Sequence, residues 1–219
     1  MLFRSVLEIA KELEEIPLEG KTYANLGVAY YSLGDFKKAI EYLERAIEIA
    51  KQVMDKVGIG ISFYHLGEVF QSIGALCKAT DCFQYSVTTL NDVRRHLVFK
   101  DDWKMSLRNL HQYAYVSLWR SLLVQGKITE ALLSAEQARA QALKDLLVFK
   151  YASQNTPVES CTKMDTIAGI LSFLPCSIVF IALENQEVIL WVFQKGKDVQ
   201  LRRKQIPDGE VDEIGRAHV

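Results

Sequence analysis

The chain has 219 residues, 49% hydrophobic and 24% charged with only four prolines, a composition that fits an ordinary globular protein and excludes a disordered or collagen-like one. Its 26 Lys and Arg are balanced by 27 Asp and Glu for a net charge of −1, so there is no basic field to draw it onto nucleic acid or anionic lipid, and neither is expected as a partner. The longest strongly apolar run, 177–183, is too short to span a bilayer as a helix, and the N-terminus turns acidic too soon for a secretory signal. Cys77, Cys82, Cys161 and Cys176 form no CxxC pair and read as reduced, small core residues, which makes the expected location cytoplasmic.

The chain opens on LFRSVLEIAKE, an amphipathic helical run that aligns with YLERAIEIAKQ 40 residues later. Residues 1–16 are therefore expected to be the second helix of a repeat whose first helix is missing, as in a fragment cut from a longer array. The same offset brings Tyr23, Leu26, Gly27, Tyr30, Gly34, Phe36, Ala39 and Leu43 onto Phe63, Leu66, Gly67, Phe70, Gly74, Leu76, Ala79 and Phe83.

In the first copy, 20–53, a helix over about 20–33 puts Tyr23, Leu26, Gly27 and Tyr30 on one stripe. Gly27 lets a second helix approach, Gly34 ends the first helix in a left-handed conformation, and Asp35 caps the next. Ala39, Leu43 and Ala46 form the buried stripe of that second helix, with Lys37, Lys38, Glu41, Glu44, Arg45 and Glu48 on its wet side. The second copy spans 60–98, and GIGIS at 58–62 reads as a helix junction rather than a phosphate loop, since neither a strand precedes it nor a lysine follows.

An extra segment around 93–104 separates this copy from a degenerate third over 105–151. There Tyr115, Leu118, Leu122, Gly126, Ile128, Ala131, Ala135 and Ala138 take the repeat positions, but Trp119 stands where the packing glycine belongs. A polar linker follows over 152–176. Then come SIVFIALE, EVILWVFQK and VQLRRKQI within 177–206, a β-meander whose first turn is Asn185-Gln186, and a polar tail over 207–219. Both faces of the first two strands are apolar, so the sheet is expected to be covered on both sides.

The repeat resembles the tetratricopeptide repeat (TPR), with every signature position of the first copy filled except the closing proline; the 40-residue period resembles its longer-repeat subclass. The resemblance implies a mostly α fold, an α-solenoid of antiparallel helix pairs, followed here by the short antiparallel β-meander. The helix AEQARAQALKDLL and the hairpin with its late Trp191 resemble the opening of a CHAT domain, a caspase-like α/β domain that closes some TPR scaffolds. In that family the peptidase-like members carry their His and Cys well downstream of the hairpin. No residue of this sequence matches either, so the resemblance assigns no catalytic residue, and the expectation is a truncated scaffold that is not an enzyme.

His65, His96, His111 and His218 have no second ligand at metal spacing, and no metal or cofactor is expected. The TPR resemblance makes the concave face, built from the first helices of successive repeats, the expected site for protein or peptide partners. By repeat position its candidates are Lys21, Asn25, Val28 and Tyr31 in the first copy. Ile61, Tyr64, His65, Glu68 and Gln71 follow in the second, and Ser117 and Arg120 in the third. Asn25 stands where peptide-binding TPRs often bond a ligand backbone or carboxylate. Ala24 and Tyr64 occupy the places of the lysines in the two-carboxylate clamp, so that clamp is not expected. Uncovered apolar solenoid ends also suggest self-association.

Overall fold

A computed structural model describes residues 2–96, 101–151, 178–184, 187–193 and 199–205. The Asn185-Gln186 turn, the linker, the tail, Cys161, Cys176 and His218 lie outside them. The chain divides into two compact units, Met1–Lys127 and Ile128–Val219. It is mostly α, with a short antiparallel meander in the second unit.

The first unit holds α1 (Leu2–Glu12), α2 (Ile16–Ser32), α3 (Phe36–Gln52), α4 (Lys56–Ser72), α5 (Leu76–His96) and α6 (Asp101–Val124). α2 packs on α3 and α4 on α5, as two hairpins related by the 40-residue offset, while α3 packs on α4 and α5 on α6. At the centre of the first hairpin an added Cβ on Gly27 would fall 2.5 Å from Leu43 Cγ; in the second, one on Gly67 would fall 2.6 Å from the Phe83 ring. Leu43 and Phe83 are both fully buried. A second small position, not singled out by the sequence pattern, works in the same way: Gly20 lies under Ile49 and Gly60 under Leu90.

The period is written in the backbone as well. After α2, Gly34 N–H bonds Tyr31 O at 2.9 Å and Asp35 N–H bonds Tyr30 O at 3.0 Å, the paired bonds of a Schellman ending. The same pair closes α4 at Gly74 and Ala75, and α6 at Gly126 and Lys127. The three glycines have φ of 76°, 77° and 76°, the left-handed region that a Cβ makes costly. The turns that end α1 and α3 use the same bonds with Glu14 (φ 55°) and Met54 (φ 56°) in that place.

The helix starts differ from the sequence reading. α2 begins at Ile16 with Pro17 in its first turn, and α4 begins at Lys56, capped by Asp55 accepting from Gly58 N–H at 2.9 Å. Residues 58–62 are therefore inside α4 and not a junction. Their glycines serve the cap and the contact with Leu90 rather than a break. Asp35 caps α3 as expected, accepting from Lys38 N–H at 3.2 Å. α5 has 21 and α6 24 residues, against 17 in each of α2, α3 and α4.

The second unit contains α7 (Ile128–Tyr151) and the sheet β1 (Ile178–Glu184), β2 (Glu187–Phe193), β3 (Gln200–Gln205), in that order and antiparallel throughout. Ile181 lies opposite Leu190, and Leu190 opposite Arg202. Ile189 and Trp191 are buried on one face, whereas Val179 and Ile181 on the other are 48% and 55% exposed. The described residues supply no cover for this second face. β3 gives it Arg202 and Lys204, charged residues that stay in water. The Arg139 guanidinium of α7 donates to Ile181 O on β1.

Candidate functional site

The candidate groove residues sit on α2, α4 and α6. On α2, Lys21, Asn25, Val28 and Tyr31 recur at spacings of three and four and share one face; Lys21 and Asn25 are exposed, Val28 and Tyr31 half-buried. On α4, Ile61, Tyr64, His65 and Glu68 are half-buried and Gln71 is exposed. Ser117 and Arg120 on α6 are half-buried, Arg120 with its guanidinium 5.6 Å from the centre of the Trp119 ring.

Two sub-regions emerge. In the first, an apolar pocket of about 750 Å³ opens beside Lys21 and Asn25. It exists because its walls carry small side chains, Gly20 and Ala24 of α2, Ala46 and Ala50 of α3, Gly58 and Ser62 of α4. Its floor and far side are apolar, with Ile49, Val53, Val57 and Ile61 joined by Leu110 of α6. Of the sequence candidates, Lys21, Asn25 and Ile61 line it. The α3 residues were missed because the repeat pattern assigns only first helices to the groove, and Leu110 because the third copy's register was read from Tyr115 onward.

The second sub-region is polar. Tyr31 and Ser72 share a hydroxyl hydrogen bond of 3.0 Å that joins α2 to α4. Glu68 collects two neighbours: Tyr64 OH donates to Oε1 at 3.0 Å and His65 Nδ1–H to Oε2 at 2.8 Å. Burial first, then the Glu68 carboxylate beside it, holds the Tyr64 phenol well above its ordinary range, so the hydroxyl stays a donor at any physiological pH. Val28, Gln71 and Arg120 enter neither the pocket nor these bonded pairs.

His111, read as an ordinary histidine, lies in a buried network between α5 and α6. Arg94 can only donate, so the 3.1 Å contact makes His111 Nδ1 the acceptor, and Nε2–H donates to Asn91 Oδ1 at 2.6 Å. Asn91 Nδ2 donates in turn to Tyr115 OH at 3.1 Å. Burial, then Arg94, lowers the imidazole pKa to about 4. Cys82 is buried as expected, its thiol pushed up to about 11 by desolvation, but Cys77 is exposed: five positions apart on one helix, the two cannot share the buried face. Among the described residues no three His, Cys, Asp or Glu gather in a metal-binding cluster, and no helix is long and apolar enough to cross a membrane.

The family model of the tetratricopeptide repeat matches residues 20–52, which are α2 from Gly20 onward with α3. TPR repeats generally mediate protein–protein association and are typically non-catalytic. No curated protein matches the sequence. Among solved structures, BtubC (BKLC) from P. vanneervenii is similar at 17% identity over 74% of this chain and 77% of that chain, with a TM-score of 0.33.

Proposed function

We propose that the chain is a protein-interaction scaffold that binds partner peptides or domains in the groove lined by α2, α4 and α6, with no catalytic machinery of its own. The observation that carries this reading is the pocket opening beside Lys21 and Asn25 on the same helix faces as Tyr31, Tyr64 and Glu68. The repeats are 20–53, 60–98 and a degenerate 105–151, with 1–16 acting as the second helix of a preceding one. The linker, meander and tail at 152–176, 177–206 and 207–219 belong to a different module, one that resembles the opening of a CHAT domain. The free Cys77 and Cys82 suit a cytoplasmic setting. Self-association through α1 and the turn after it is suggested by Ile9 and Leu13, which are 51% and 65% exposed, and sedimentation showing a strict monomer at high concentration would count against it.

The test of the groove is a displayed random-peptide library selected on the full chain, with enriched peptides measured by fluorescence anisotropy. Replacing Asn25 and Tyr64 together by alanine is expected to weaken binding by about ten-fold or more, roughly 1.4 kcal/mol, with the helical circular dichroism unchanged. Equal affinity for the double variant sinks the groove. A second reading makes the chain the recognition part of a CHAT-type peptidase. It rests on the antiparallel β1–β2 pair with buried Trp191, and a longer reading frame lacking a downstream His and Cys would reject it.

A further inference from the structure

The apolar pocket and the polar row occupy successive stretches of the same two helix faces, and this fixes more than the presence of a groove. Lys21 stands exposed at the pocket's rim, while Asp55, the other charged group lining it, has Oδ1 engaged by Gly58 N–H. Glu68 lies two helical turns past Ile61 on α4, about 10 Å along that helix. Glu68 accepts from Tyr64 and His65, which leaves a carboxylate, with room for about four bonds, two further acceptor directions. Lys21 thus adjoins the apolar cavity on α2 with its charge exposed, and Glu68 lies outside the cavity on α4.

We infer that the pocket bounded by Ala24, Ile49, Ala50, Ile61 and Leu110 is an anchor site for one large aliphatic or aromatic side chain of a partner peptide. An acidic residue beside the anchor faces Lys21, and a basic residue farther along the peptide faces Glu68. A cavity near 750 Å³ lies within the ~300–1,000 Å³ range of ligand sites and exceeds what one side chain fills, leaving room for the flanking main chain that Asn25 can bond. This rests on the scaffold reading above and specifies its ligand.

The experiment selects a displayed random-decapeptide library on the full chain and measures the enriched peptides by fluorescence anisotropy. Enrichment of Leu, Ile, Met, Phe or Trp at one position is expected, with Asp or Glu adjacent and Lys or Arg farther along. Alanine at the anchor is expected to weaken binding at least ten-fold. Ala24→Phe, which fills the pocket, should abolish it. Lys21→Glu, at an exposed site with no folding risk, should reverse the preference so that a basic residue beside the anchor binds better than an acidic one. Enriched peptides without an apolar position, or unchanged charge preference in Lys21→Glu, overturn the anchor; if the Asn25/Tyr64 double variant still abolishes binding, the groove itself survives. No enrichment at all overturns both.

Discussion

The hairpins α2–α3 and α4–α5 reach the same backbone by different local chemistry. Asp35 caps α3, whereas its counterpart before α5 is Ala75, which has no side-chain acceptor; Asp55 caps α4, whereas Glu15 before α2 makes no side-chain cap bond. Yet the left-handed turns coincide within a degree of φ at Gly34 and Gly74 and at Glu14 and Met54. What the hairpins do share is a glycine under a buried apolar side chain. Interhelical packing, not capping, sets the copy's geometry. The contact between the second hairpin and α6 is of another kind, a buried polar network in which His111 of α6 bonds Asn91 and Arg94 of α5.

The strongest way to break the equivalence of the two hairpins is at their centres. Phe83→Ala is expected to cost ~3–5 kcal/mol in urea unfolding, more than Leu43→Ala if the larger ring leaves the larger void. The α5–α6 contact should instead show itself through pH. The folded imidazole titrates at about 4 against an ordinary 6.5, so between these values the unfolded chain binds more protons. Stability from this site is complete above pH 6.5 and falls as the pH drops toward 4, by up to ~3 kcal/mol. The difference in unfolding free energy between the wild type and His111→Gln, measured at pH 7, 5.5 and 4.5, should shrink accordingly; a constant difference refutes it. Gly67→Ala should cost ~1–3 kcal/mol despite the better helix propensity of alanine, because the new methyl meets a rigid ring. The smallest effect sharpens the comparison. Ala75→Asp should stabilise α5 by ~1 kcal/mol and Asp35→Ala should destabilise α3 by as much, read as opposite shifts in thermal midpoint.

The glycine turns at 34, 74 and 126, the Asp35 cap and the three strands were legible because each follows from one residue type or a two-residue alternation. Helix starts were not. Pro17 and Asp55 lie before the signature, and a repeat aligned on Tyr23 and Phe63 says nothing about where the helix begins. The GIGIS run misled because glycine is read as a breaker, although Gly60 here makes room for Leu90. The pocket was half legible. Lys21, Asn25 and Ile61 came from the repeat register, but Ile49, Val53 and Leu110 reach it from the end of α3 and from a longer α6, and only three-dimensional packing brings those together.

The cross-links between successive copies have a mechanical consequence. Tyr31 pairs with Ser72 and Thr80 with Ser121 at 2.7 Å, each across 41 positions and each a bond between two neutral hydroxyls. A bond of this kind contributes ~1 kcal/mol and has no charge to screen. These pairs lie beside a continuous apolar core in which Leu43 and Ile47 of α3 cluster with Leu66 and Val69 of α4, so packing is what chiefly joins the copies. The hydroxyl pairs then act as register pins between copies, and their contribution is indifferent to ionic strength.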